Sequence, residues 1–305
     1  MISKIFKIIR LHIVAGGLVA FSLGVLLAML AGARPNPTIV VLVYLVVFSG
    51  DLSTHYSNDY FDARVESDGQ QRKAFGGSNI LFKYPQMRPV SRLVAIALMS
   101  LSIMLAVASV LWYGVPSEFL MIAVGANLLG WFYSAPPLRL LSRGLGEIAI
   151  AIGTGFVIPG AGYLAARGKL DSFILPLTIP FIMYGFILSL SLEIPDMEDD
   201  LKVGKTNLVV RKGRQFAFVT IAFLSSLATI AFLVVAKSAA PPTSIHLGVF
   251  TVFSLIPLAA GAAGSLQKPQ IRSETTRFST ANNVSLFIFN ILTNIYLLVL
   301  ILLRK

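Results

Sequence analysis

Apolar windows of about 20 residues recur along the whole chain, near 11–31, 38–57, 92–112, 118–134, 145–166, 173–193, 215–236, 246–265 and 282–303. Each is about as long as a helix that crosses the roughly 30 Å hydrocarbon core of a bilayer. No water reaches a backbone in lipid, so a spanning segment must satisfy its own N–H and C=O groups, and an α-helix does this alone. The expected fold is therefore all-α: a polytopic membrane protein of nine transmembrane helices, forming one domain over residues 1–305. Composition agrees, with 56% hydrophobic and 13% charged residues where soluble domains carry about a quarter charged. The first window follows Lys4, Lys7 and Arg10 and ends in small residues, as a signal peptide does. Its length from Leu11 to Leu30 fits a membrane span better than a signal core.

The net charge of +11 would suggest nucleic acid in a soluble protein. Here it has a simpler meaning, because Lys and Arg gather in loops on the cytoplasmic side of a membrane. With the N-terminus inside, 19 of the 25 Lys and Arg fall in inside segments and 6 in outside ones. That asymmetry predicts a cytoplasmic N-terminus, an outside C-terminus, a lipid bilayer as partner and no nucleic acid. The chain has no cysteine, which removes disulfides, thiolate metal sites and cysteine nucleophiles.

Against this background the acids stand out. Nine of the 14 lie in two clusters: Asp59, Asp62, Glu66 and Asp68 after the second window, and Glu193, Asp196, Glu198, Asp199 and Asp200 after the sixth. Both clusters fall on the predicted cytoplasmic side. Their separation by four helices hints at a weak repeat of helices 1–4 and 5–8, with the ninth appended. Asp51, His55, Asn58, Asp62 and Glu66 follow one another at steps of three or four residues, which puts them along one helical face. Asp51 and His55 are still within the span, where ionisable groups are costly and usually face a cavity or a partner.

Juxtamembrane charges are ordinarily solvated loop ends. Two clusters on one side, at matching places in the topology, have a sharper meaning. Like charges one turn apart destabilise a helix, so such a stripe calls for a cation or for basic partners. Hard oxygen donors without cysteine suit magnesium or calcium. Magnesium takes one or two carboxylates, keeps waters and bridges to substrate phosphate. Two facing clusters would thus hold a diphosphate between metal ions. Arg64, Arg72, Lys73, Arg139, Arg143, Lys202 and Lys205 lie nearby and can neutralise such a group.

These residues resemble a known family. N-D-Y-F-D-A-R-V-E (58–66) looks like the first Asp-rich motif of the UbiA superfamily of intramembrane prenyltransferases. D-M-E-D-D-L-K-V-G-K (196–205) looks like its second, and Y-S-A-P-P-L-R-L (133–140) is similar to the segment between its fourth and fifth helices. The resemblance implies helices around a central cavity under a cytoplasmic polar cap. It implies magnesium-dependent transfer of a prenyl group from a polyprenyl diphosphate, through an allylic carbocation, to a lipophilic acceptor. Carried over by position, Asn58, Asp62, Glu66, Asp196 and Asp200 are the metal ligands, with Asp62, Asp196, Asp200 and Tyr133 at the reaction centre. Asp59 supports the first motif, and Arg64, Lys73, Arg139 and Lys205 are candidate diphosphate contacts. Glu66 stands where the family usually has Asp, which leaves Glu66 and Asp68 as alternatives for the last acid.

Chemistry supports this on its own terms. Metal ions stabilise the charge on a leaving diphosphate, and a dry cavity protects the carbocation from water. A-F-G-G-S-N-I-L (74–81) looks most like the menaquinone branch, whose acceptor is 1,4-dihydroxy-2-naphthoate. The G-G pair also fits an ordinary tight turn. His55 could tune a carboxylate, take a proton from the acceptor, or simply hydrogen-bond within the bundle.

Overall fold

The computed structural model describes residues 8, 10–65, 78, 80–238 and 246–303. Among these residues every regular element is helical. Each expected window forms a helix: α1 Leu11–Leu30, α2 Pro37–Val65, α3 Arg88–Tyr113, α4 Ser117–Ser134, α5 Gly146–Arg167, α6 Ile174–Glu193, α7 Arg214–Ser238, α8 Gly248–Gln267 and α9 Arg272–Leu303. Among the described residues, eight of them are long and apolar enough to cross a membrane. The helix outside that set is α4, whose 18 residues include the polar Glu118 and Asn127.

Two glycine-rich helices, α1 and α5, pack backbone to backbone. A Cβ on Gly24 would stand 1.9 Å from the Pro159 carbonyl oxygen, and one on Gly162 would stand 2.1 Å from that of Phe21. Small residues allow this approach in lipid, where packing replaces the hydrophobic drive between helices. The other face of α5 meets α6 as closely, with Gly155 against the backbone of Ile182. Between these contacts α5 widens into a π-helical turn over Gly153–Val157. Pro159 has no N–H to return to the carbonyl four residues back, and such widened turns are frequent at functional sites.

Around this spine, α2 packs on α3 and α4, α6 on α7, and α7 on α8. The last helix, α9, closes the bundle by lying against both α8 and α1. With 29 residues, α2 is about 43 Å long at 1.5 Å per residue. That exceeds the hydrocarbon thickness and carries its C-terminal acids beyond it. In contrast α6 stops at Glu193, and a 3-10 turn containing Pro195 leads into the short helix Met197–Lys202. Pro195 thus ends α6 and redirects the second cluster, as its ring and missing N–H require.

Candidate active site

A cavity of about 300 Å³ lies among α1 to α6. Val46, Val47, Phe119, Ile122 and Leu129 give it apolar walls. Asn58 and Asp62 reach it from α2, and Tyr133 from the end of α4. Asp196, Asp200 and Lys205 reach it from the segment after α6. Residues more than 130 positions apart in sequence therefore meet at one pole, where the spacing of the two clusters predicted a joint site. Among the described residues α7, α8 and α9 contribute nothing to this lining, so the expected central cavity belongs to α1–α6.

Local geometry fixes each group. Asn58 donates from Nδ2 to Ser134 Oγ at 2.7 Å, which ties the first motif to the Y-S-A-P-P segment. Its Oδ1 accepts from Arg10 at 3.4 Å. One residue on, Asp59 points about 100° around the helix and does not line the cavity. Its carboxylate pairs with Arg10 and accepts from the Ser78 hydroxyl and backbone N–H. These contacts fasten Asp59 to Arg10 and Ser78 beside the first motif. Arg139 takes a left-handed conformation, φ 46°, at the head of the turn Leu140–Arg143, and Leu141 of that turn lines the cavity. Arg64 lies in the last turn of α2. Glu66, Asp68, Arg72 and Lys73 lie outside the described residues.

The second motif is buried and held by cations. Asp200 pairs with Lys205 at 3.1 Å and accepts from Asn207 Nδ2 at 2.9 Å. Arg272, at the start of α9, bridges Asp196 at 3.4 Å and Asp199 at 2.9 Å. A buried carboxylate needs such a partner, because an isolated charge out of water is very costly. Arg214 fastens the turn beneath them, donating to the carbonyls of Ile194 and Gln270, both at 3.1 Å, and pairing with Glu198. The neighbouring loops are stitched together where Thr206 donates its N–H and hydroxyl to the Ser142 carbonyl at 3.0 and 2.9 Å.

These donors suit a hard divalent cation: oxygens only, from both motifs, at the mouth of a cavity. Among the described residues, no three acids or histidines stand together as a closed cage. Magnesium does not need one, since it takes one or two carboxylates and completes its shell with water and phosphate oxygen. The residues present fit that role.

Sequence reasoning missed four participants. Arg10 and Arg272 each occur alone and were absorbed into the loop charge count. Glu147 lies at the start of α5, 1% exposed, where its Oε1 accepts from the Leu208 N–H at 2.6 Å. The Glu147 carboxyl stands within hydrogen-bonding reach of Glu193, whose Oε1 accepts from Ser189 at 3.2 Å. A glutamate at a helix start ordinarily signals capping, so nothing in its local sequence announces the pairing. The fourth is Asn127 of α4, a cavity-lining amide that donates to Ser102 Oγ at 2.9 Å and to the Ala123 carbonyl at 2.8 Å.

An apolar cavity in a helical membrane bundle, with paired Asp-rich motifs at its mouth, defines a class of intramembrane enzyme acting on a lipid with a charged head. Residues 18–291 match the UbiA prenyltransferase family, and the chain belongs to that family. It is an integral membrane protein and a UbiA-type prenyltransferase. It is 23% identical over 259 residues to the 1,4-dihydroxy-2-naphthoate octaprenyltransferase of Bacillus subtilis (strain 168), covering 83% of this chain and 78% of that one. Its fold is similar to that of a UbiA homolog from Archaeoglobus fulgidus bound to GPP and Mg2+, with TM-score 0.65 and 18% identity over 95% of this chain and 99% of that one. A UbiA homolog from Aeropyrum pernix K1 has the same fold, with TM-score 0.65 and 12% identity over 92% and 98% of the two chains.

Proposed function

We propose that the chain acts as one transmembrane domain over residues 1–305 that transfers a polyprenyl group from its diphosphate to an aromatic quinone precursor. The favoured acceptor is 1,4-dihydroxy-2-naphthoate. The observation that carries this is the convergence of Asn58, Asp62, Asp196 and Asp200 on one apolar cavity. The acceptor preference is supported by the named Bacillus subtilis relative and by the A-F-G-G-S-N-I-L segment. The excess of Lys and Arg in alternate loops supports a cytoplasmic mouth, a cytoplasmic N-terminus and an outside C-terminus.

Asn58, Asp62, Asp196 and Asp200 would hold magnesium, with Glu66 or Asp68 completing the first motif. When bound, the metal supplies Lewis-acid stabilisation of the charge that develops on the leaving diphosphate. Lys205 and Arg10, which both line the cavity, supply fixed positive charge there. The prenyl tail lies along the apolar walls, which exclude water from the allylic cation as the C–O bond breaks. Tyr133 presents an aromatic ring at the junction between the charged mouth and the apolar shaft, where a cation gains from a π face.

The test is a product assay on purified protein in detergent. Geranylgeranyl diphosphate is supplied with 1,4-dihydroxy-2-naphthoate, 4-hydroxybenzoate or geranylgeranylglyceryl phosphate, in magnesium or in EDTA. The expected result is magnesium-dependent prenylation of the naphthoate. Prenylation of another acceptor alone would reassign the branch, and absence of product from every acceptor would overturn the reading.

A further inference from the structure

Two ionisable groups of the cavity lining stand apart from both Asp-rich motifs in sequence. Asp51 and His55 sit one turn apart on α2 and both line the cavity. His55 Nε2 stands 3.6 Å from Asp51 Oδ1, with side chains 8% and 26% exposed. At 1.5 Å per residue they lie about 16 Å and 10 Å along the helix from Asp62, well within the span and among apolar walls. Charge at such depth is expensive and is ordinarily kept for function.

We propose that Asp51 and His55 form a proton-accepting dyad, in which the imidazole takes the hydroxyl proton of a phenolic acceptor and Asp51 stabilises the resulting imidazolium. The proposal rests on the prenyl-transfer reading above. The electron balance is simple. The acceptor O–H bond breaks and its proton passes to His55. Its electron pair, delocalised into the ring, forms the new bond from a ring carbon to prenyl C1, and the resulting dienone regains aromaticity as that carbon loses its carboxyl group as CO2 and the oxygen takes the proton back from His55. The bond from C1 to the diphosphate oxygen breaks, and that pair leaves on the diphosphate. A phenol is a poor nucleophile and a phenolate a strong one, so the proton must have a destination before the short-lived cation collapses.

Histidine suits this task because its ordinary pKa, about 6.5, lies near working pH. A general base is effective when it is near neutrality and correctly placed. A carboxylate beside the ring favours the charged imidazolium. The charged and titratable groups facing the dyad across the cavity are Arg10 from α1, Tyr133 from α4 and Glu193 from α6. On α2 itself, Asp62 lies toward the mouth and Tyr44 lies near Asp51. Asp196, Asp200 and Lys205 stand at the mouth, and the described lining from α3 and α5 carries no charge. Arg10 is paired with Asp59 and Lys205 with Asp200, while Asp51 stands against the imidazole.

The experiment compares wild type, His55→Asn and Asp51→Asn in detergent with magnesium, measuring kcat and KM for each substrate across pH. For His55→Asn the expected result is a kcat lower by about 100-fold, an unchanged KM for the prenyl diphosphate, and loss of the acid limb of kcat. An acceptor bearing a more acidic phenol should recover much of that loss, which no merely structural role predicts. In Asp51→Asn the acid limb should move to lower pH, because the imidazolium loses its counter-charge. An acid limb in His55→Asn that matches wild type overturns the proposal. Should His55→Asn fail to bind diphosphate, Asp51→Asn decides, and an unmoved limb there overturns it. A wild-type enzyme that prenylates no acceptor would instead overturn the prenyl-transfer reading, so the two failures are distinguishable.

Discussion

Helices α1–α6 enclose the cavity, whereas among the described residues α7–α9 add nothing to its lining. The difference lies in which residues face inward. Around the cavity the inward positions hold small side chains such as Gly50, Thr54, Ala126, Gly130, Gly153 and Thr154. In the other set they hold aromatic rings. Phe232 of α7 lies at its centre, with ring centroids 5.3 Å from Phe289, 5.6 Å from Phe181, 5.8 Å from Tyr184 and 5.9 Å from Phe250. Such tilted and edge-on contacts add to the large apolar area that each ring buries. The filled set shares α6 with the hollow one, and α6 ends in the second motif. A densely packed flank thus braces the helix that must present Asp196 and Asp200, while the open flank is left free for a lipid chain.

This division implies that the two flanks fail in different ways. The largest effect is expected at the mouth. Asp62→Asn and Asp196→Asn keep the size of each side chain and remove its charge, so each should lower transfer by about 1,000-fold or more, a magnitude typical for loss of electrostatic stabilisation at a reacting centre. Thermal unfolding in detergent should change little. Retention of wild-type turnover in both variants would remove these carboxylates from the site. Next comes Phe232→Ala, which leaves a void among four rings and should destabilise the protein by about 3–5 kcal/mol. Its folded fraction should still bind prenyl diphosphate with wild-type affinity. If binding weakens as much as in Asp62→Asn, the flanks do not have separate duties.

The sequence revealed the hollow flank better than the filled one, for a physical reason. Acids and amides are improbable near a bilayer, so Asn58, Asp62, Asp196 and Asp200 stood out and their joint site was legible. Phe181, Phe232, Phe250 and Phe289 belong to a chain with 21 Phe, and a ring that faces lipid looks in sequence like one that faces a core. Helix positions were legible because lipid imposes both length and helical form. The basic partners were not. Arg10 and Arg272 neutralise acids 49 and 76 residues away, and only the folded bundle brings them together. Glu147 was hidden in the same manner, since its partner Glu193 is contributed by the next helix. The left-handed backbone at Arg139 and the entry of Leu141 into the cavity were not legible either, since a backbone conformation of that kind has no signal in a non-glycine residue.

The smallest expected effect concerns the end of the bundle away from the acids, where the loop between α5 and α6 is held by one carboxylate. Asp171 accepts from the Tyr163 hydroxyl at 2.8 Å and from the Phe173 N–H at 3.1 Å, with Arg167 at 3.4 Å. Partial burial pushes its pKa up, but the hydrogen bonds from Tyr163, the backbone and Arg167 outweigh this and hold it below the ordinary value of 3.8. A depressed carboxylate stabilises the folded state in its ionised form. Its contribution is complete above the ordinary pKa and disappears as pH falls through the lower folded value. Asp171→Asn should therefore cost about 1 kcal/mol near neutral pH, the net worth of such bonds. As pH falls through that lowered folded value the gap to wild type should close. Thermal unfolding of both proteins in detergent across pH 2.5–7 measures this directly. A gap that stays constant down to the lowest pH would mean that Asp171 acts through shape alone. In that case the α5–α6 junction of the hollow flank owes its geometry to the packing of Tyr163, which is 0% exposed, and not to the charge beside it.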